Sequence, residues 1–301
     1  MHKQFLGIKW NPETPPFSFL WIREFDSNTS QDYLIPVEVG KKLNISIHKE
    51  KFCIGHKINE TEYYFCNKTV PNTYIQCYQC QRMDFSRCFI TCDPSRGQES
   101  CTNREAYEYC QRTPRSVYLA LIGSEIKVGI SFNPLKRWIN QGADVAIEVW
   151  RAKNGLEARK IEILISSELD ISQAVNIRNK IESIGKYNKK ALLDLRKKKE
   201  KVALLLQDSD YEYVESPLLN KEVYLAKYYG NIPMLNLKPI FVDLSNNPYI
   251  NGRVIGMKGS LLVTKVRNTY YVFNMKEVMG HIISMEKESQ VKRQKSLFEF
   301  I

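Results

Sequence analysis

Apolar and polar residues change their period several times along the chain, and the changes mark four stretches. Residues 1–50 read as short strands and turns. Phe17-Ser18-Phe19-Leu20-Trp21-Ile22 is a strand candidate, and Leu43-Asn44-Ile45-Ser46-Ile47 alternates as a half-buried strand does. Trp10-Asn11-Pro12-Glu13-Thr14-Pro15-Pro16 reads as a loop. Residues 51–113 show little aliphatic periodicity and many turn residues. Such a stretch cannot build its own core and needs cross-links. Residues 114–230 read as α/β. Val117-Tyr118-Leu119-Ala120-Leu121 and Ile126-Lys127-Val128-Gly129-Ile130 are short buried strands, with Gly123-Ser124 as a hairpin turn between them. Pro134 opens a helix through Trp138 and Asn140, and Val145 to Trp150 is a third strand. Leu156 to Leu169 has helical spacing, with Ile161, Leu164 and Ile165 on one face, and residues 172–206 also read as helical. Residues 231–301 return to β. Arg253 to Val263 reads as strand, glycine-marked turn, strand, and Thr269 to Phe273 as another strand. That spacing predicts a small barrel. The tail from Lys287 is polar until Leu297-Phe298-Glu299-Phe300-Ile301. The expected class is α+β: an N-terminal β unit, a cysteine segment, an α/β core and a C-terminal barrel.

Composition narrows the function classes. The chain has 301 residues, of which 43% are hydrophobic, with 17 Tyr and 13 Phe. That excludes a largely disordered chain. The formal charge of +11 suits a polyanionic partner such as nucleic acid, or a solvated lysine-rich surface. The first ten residues hold no long apolar run, and no stretch approaches the roughly 18 apolar residues of a membrane helix. The expected location is the cytoplasm, where thiols stay reduced. Sequons at Asn28, Asn44, Asn59 and Asn67 would fit a secreted disulfide protein, but no export signal accompanies them.

All eight cysteines lie between Cys53 and Cys110. Cys53, Cys66, Cys77 and Cys80 form the pattern C-x12-C-x10-C-x2-C. The tight Cys77/Cys80 pair places two thiolates on one turn, and two more complete a tetrahedron around Zn²⁺. His48 and His56 are substitute ligands. Cys88, Cys92, Cys101 and Cys110 are a second candidate tetrad, for a second zinc or for a set of buried free thiols. An iron–sulfur cluster also takes four thiolates. Four thiolates leave no open coordination position, so the expected role is structural.

The order Val117-Tyr118-Leu119, Lys127-Val128-Gly129, then Arg137 resembles the GIY-YIG nuclease domain. The resemblance implies that Tyr118 matches the tyrosine of the first motif and Gly129 the glycine of the second. Lys127 stands where the second motif has tyrosine. Arg137 matches the helix arginine, and Glu162 the carboxylate that holds Mg²⁺. A nuclease would use Tyr118 or Lys127 on the attacking water and Arg137 on the phosphate. A wider resemblance rests on Cys53-Ile54-Gly55, Cys77/Cys80, Val117 to Ala120, and Lys127 to Ser131. It continues through Arg137, Gln141-Gly142-Ala143-Asp144, Ala158 to Glu162, Arg253 to Gly259, and Met275 to Gly280. Together these resemble the archaeal branch of the domain of unknown function 2797 family, which implies the zinc segment and the α/β core but no activity.

Residues 186–201 carry Lys186, Lys189, Lys190, Arg196, Lys197, Lys198, Lys199 and Lys201 against Asp194 and Glu200. Such a helix can track a phosphate backbone or simply face solvent. Arg253, Lys258, Lys265 and Arg267 beside Tyr270 and Tyr271 suit RNA, whose bases can stack. The expected function is therefore non-catalytic binding of RNA or the ribosome, with DNA also open. A Mg²⁺-dependent nuclease and a zinc-stapled protein adaptor are the alternatives. Sequence leaves the oligomeric state open.

Overall fold

The computed structural model describes residues 2–26, 29–96, 100–101, 103–185, 188–207 and 209–285. The sequon at Asn28, the basic-run residue Lys186 and the apolar end of the tail lie outside them. Four strands come first: β1 (His2–Trp10), β2 (Ser18–Phe25), β3 (Ser30–Pro36) and β4 (Lys42–Lys51). The cysteine segment follows with a two-stranded ribbon, β5 (His56–Lys57) and β6 (Tyr63–Tyr64). Three short helices complete it: α1 (Tyr78–Met83), α2 (Arg87–Thr91) and α3 (Arg104–Arg112).

The α/β core runs β7 (Arg115–Ile122), β8 (Glu125–Ser131), α4 (Pro134–Gln141), β9 (Val145–Ala152) and α5 (Gly155–Glu168). It continues with α6 (Ile177–Glu182), α7 (Lys189–Gln207) and β10 (Glu222–Tyr224). Its sheet has the order β10-β9-β7-β8. The helix expected over 172–206 is two helices, because the chain turns at Gly185 with φ +72°. Asparagine caps start the helices. Asn133 accepts from the Lys136 amide ahead of Pro134, and Asn154 accepts from the Glu157 amide.

The chain ends in β11 (Ile240–Phe241), β12 (Tyr249–Lys258), β13 (Leu261–Val266), β14 (Thr269–Asn274) and β15 (His281–Met285). The small barrel expected for residues 231–301 is not found among the described residues. Instead the N- and C-terminal strands share one nine-stranded sheet, in the order β11-β14-β13-β12-β4-β15-β1-β2-β3. β4 is ten residues long and pairs on one edge with β12 and on the other with β15. Alternation tells which face of a strand is buried, not which strand lies beside it. The C-terminal strands therefore extend the first sheet rather than close on themselves. Among the described residues no helix is long and apolar enough to cross a membrane.

Two cores result. One lies between the two sheets and includes Phe5, Trp10, Tyr118, Trp138, Tyr229, Met257 and Phe273. The other lies between the four-stranded sheet and helices α5 and α7, with Val117, Leu119, Ile161, Leu195 and Val202. The run Gln141-Gly142-Ala143-Asp144 joins the layers. Gly142 ends α4 in the left-handed conformation, and its amide returns to the Trp138 and Ile139 carbonyls. The Ala143 carbonyl accepts from the fully buried Tyr229 hydroxyl at 2.6 Å. Asp144 accepts from Lys258 Nζ at 2.6 Å and from the Gly123 amide at 2.7 Å. Lys258 is only 5% exposed.

Removing one partner of a buried ion pair strands the other charge, so Asp144→Ala should lose about 3–5 kcal/mol. Urea unfolding checks this, and the double variant Asp144→Ala/Lys258→Met should recover part of the loss.

Candidate functional site

The first four cysteines converge although they span 28 positions of sequence. Cys53 follows β4, Cys66 follows β6, Cys77 caps α1 and Cys80 lies within it. Their sulfurs all lie within 4.8 Å of one another, and Cys66 and Cys77 are 3.9 Å apart. A tetrahedron with metal–sulfur bonds of about 2.3 Å has edges of about 3.8 Å, so the four can hold one metal ion such as zinc. The Cys77 and Gly55 amides both donate to Cys53 Sγ. Burial pushes the Cys53 thiol up to about 11 and Cys80 upward as well. Burial acts upward on Cys77 too, but hydrogen bonds from the Cys80 backbone and the other three thiols bring it down to about 7. His56 stacks on Tyr64 and His48 contacts Ser284, so neither belongs to the cluster.

The later four cysteines do not form a second thiolate tetrad among the described residues. Cys88 and Cys101 are bonded to each other, and Cys92 and Cys110 remain thiols. Spacing could count these sulfurs but not pair them, because pairing depends on how α2 and α3 pack. Phe85, Phe89 and Tyr109 fill that contact.

Beside this packing lies a cavity of about 370 Å³. Tyr118, Lys127, Arg137 and Glu162, separated by up to 44 positions in sequence, all line it. Tyr118 and Gly129 face each other across the β7–β8 hairpin. A Cβ at Gly129 would sit 2.6 Å from the Tyr118 hydroxyl, which explains the glycine. The Tyr118 hydroxyl donates to Gln141 Oε1 at 2.9 Å. Burial pushes its phenol up, and the Arg137 cation opposes that. Lys127 Nζ donates to the Gln173 carbonyl at 2.7 Å. Burial, with the Arg137 charge nearby, brings its ammonium down to about 8. Burial raises the Glu162 carboxyl, while Arg159 and Lys127 pull it back.

Two further arginines line the cavity. Arg159 pairs with Glu162 and also donates to the Phe89 carbonyl at 2.7 Å, tying α5 to the cysteine segment. Arg115, 4% exposed, lies over the rings of Phe89 and Phe132 at 4.6 and 4.7 Å. Helical spacing from Glu162 could have flagged Arg159, as an i, i+3 neighbour. Nothing local flags Arg115.

The candidate nucleic-acid contacts are dispersed by comparison. Lys189, Lys190 and Lys197 are exposed on α7. Arg196 is held by Glu222 through two bonds, and Lys198 and Lys199 donate to the Leu169 and Asn220 carbonyls. Arg253 donates to the Gly40 carbonyl, and Lys258 is buried on Asp144.

Residues 40–283 match the family described as protein of unknown function, DUF2797. The chain belongs to this family. No curated protein and no solved structure matches it. The family match runs from the residues just before β4 into β15, and so includes the cysteine cluster, the cavity and the Asp144–Lys258 contact.

Metal analysis should find about one ion per chain, lost in Cys77→Ser, and chelation should lower the melting temperature of the parent protein alone. Lys127 yields a second expectation. Folded Lys127 releases its proton near 8 and the unfolded chain near 10.5, so between these values the unfolded state binds more protons. Relative to Lys127→Met, the parent protein should gain stability as pH rises from about 8 to 10.5, read from urea midpoints.

Proposed function

We propose that the protein binds nucleic acid, RNA or a ribosomal RNA surface before DNA, in the cytoplasm and without cleaving it. Zinc is the proposed ion of the Cys53/Cys66/Cys77/Cys80 cluster, where it staples a segment too short to hold itself together. The observation that carries the reading is the cavity. Lys127, Arg137 and Arg159 converge on it with Glu162 as the one carboxylate among its described lining residues. Arginine on phosphate gives charge-assisted, geometrically defined bonds. Exposed Lys189, Lys190 and Lys197 extend positive charge along α7 and would contribute binding without sequence preference.

A second reading has a specific observation behind it. Tyr118, Lys127, Arg137 and Glu162, the residues that liken the core to GIY-YIG nucleases in an archaeal member of the family, share one cavity. A Mg²⁺ ion on Glu162 would supply phosphate polarisation for hydrolysis. Lys127, with its ammonium brought down to about 8, would accept a proton from water only as the free amine, a minor form at neutral pH and the main one above about 8. The Arg159–Glu162 ion pair weighs against this reading, because the guanidinium already occupies the carboxylate a metal would need.

Labelled RNA and DNA, incubated with the protein and Mg²⁺, separate the two. Non-catalytic binding predicts intact nucleic acid and affinity that falls steeply with salt. Arg137→Ala should then bind about tenfold more weakly. Cleavage that disappears in Glu162→Ala would establish the nuclease reading in its place.

A further inference from the structure

Arg115 is the first residue of β7 and its side chain lines the cavity, yet no carboxylate lies within ion-pair distance among the described residues. Its charged or titratable neighbours are the Cys110 thiol, which hydrogen-bonds the guanidinium, and, through space, Tyr109 and Glu60. The rings of Phe89, Phe132 and Tyr109 surround the guanidinium and compensate part of its lost hydration. Rings cannot satisfy N–H groups that lie in the guanidinium plane. Arg115 Nη2 is buried with no hydrogen-bond partner among the described residues, and so is Nε of Arg159 in the same cavity. Burying a cation in this state is costly unless something supplies the counter-charge.

The charge count says how much. Arg115, Lys127, Arg137 and Arg159 face the cavity against Glu162 alone among the described lining residues. A phosphodiester brings one negative charge; a phosphomonoester brings about 1.5 to 2. Gly155, at the amide-rich start of α5, also lines the space and adds the positive end of a 14-residue helix. Phe89 and Ile90 of α2 line one side of the cavity, and the Arg159 bond to the Phe89 carbonyl fixes that side. A concave pocket of this size suits the end of a strand rather than its middle.

We infer that the inner end of the cavity binds a phosphomonoester through Arg115 and Arg159, as the terminal phosphate of a nucleic-acid strand or the phosphate of a mononucleotide. The strand-terminus form rests on the nucleic-acid reading above; the mononucleotide form does not. Both guanidinium groups line the cavity, and the buried, unpaired Nη2 of Arg115 and Nε of Arg159 mark positive charge that a phosphate would compensate.

The test compares short RNA strands carrying a 5′ phosphate, a 3′ phosphate or hydroxyls at both ends, together with adenosine monophosphate and inorganic phosphate in thermal-shift assays. One phosphorylated end should bind about tenfold more tightly than the hydroxyl strand. Adenosine monophosphate should raise the melting temperature. In Arg115→Met the phosphate advantage should vanish while salt-dependent binding of the hydroxyl strand remains. Equal binding of all three strands by the parent protein, with no thermal shift from either phosphate probe, overturns the inference whether or not Arg115→Met folds. If those strands still bind and Arg137→Ala weakens them, the nucleic-acid reading survives that result. Binding of adenosine monophosphate with no strand bound at all supports the phosphomonoester site and removes the nucleic-acid reading instead. A folded Arg115→Met that keeps the full preference for a phosphorylated end also overturns the inference.

Discussion

The contact between Asp144 and Lys258 is the constraint on which the arrangement of layers depends. Asp144 ends the loop after α4, and Lys258 ends β12 of the large sheet. The pair is 2.6 Å apart and mostly withdrawn from water, so neither charge can be left alone cheaply. The backbone follows the same geometry. A Cβ at Gly259 would lie 2.9 Å from the Gly142 amide nitrogen, and a Cβ at Gly256 would lie 2.0 Å from the Tyr229 carbonyl oxygen. Close approach explains Gly256, while Gly142 and Gly259 also take positive φ.

That docking also orients the cavity. Gln141, beside the docking loop, accepts the Tyr118 hydroxyl, and its carbonyl accepts Lys180 Nζ at 3.0 Å. The C-terminal end of α4 is therefore held at Gln141, and the helix carries Arg137 to the cavity. On the other side the cysteine segment supplies Phe89, Ile90, Cys92 and Cys110. The four-cysteine cluster lies at the start of this segment, before α2 and α3. Its structural consequence reaches the cavity through α1 and α2, which contact each other, and through the Arg159 bond to Phe89. The four-cysteine cluster and this wall of the cavity are thus parts of one packing arrangement.

Much of the candidate site was legible from residues alone. Tyr118, Lys127, Arg137 and Glu162 each sit at a fixed place on a strand or helix whose period is visible, and the structure brings all four to one cavity. The Cys77/Cys80 pair was legible because two ligands on one turn need no tertiary information. Arg115 was not, because a single arginine at the start of a hydrophobic strand looks like any flanking charge. Its meaning comes from Phe89, Tyr109 and Phe132, which reach it from α2, α3 and the end of β8. The lysines and arginines of the basic helix erred in the other direction. Their clustering was visible, but the carboxylate and carbonyls that occupy Arg196, Lys198 and Lys199 were not.

Sequence by itself determined the local elements: the β7–β8 hairpin, α4 with its proline start, β9, α5, and the strands β12 to β14. Local elements follow from side-chain period, caps and turn residues, all of which lie within a few positions of one another. Tertiary structure alone decided which strands become neighbours and which cysteines meet. β15 lies between β4 and β1, so Gln4 pairs with Ile282 across nearly the whole described chain. Nothing in either strand's alternation names its partner, since every strand exposes the same backbone donors and acceptors. The choice is made by the shared core between the two sheets. The same long-range packing bonds Cys88 to Cys101 and leaves Arg115 buried with an unmet hydrogen-bond donor.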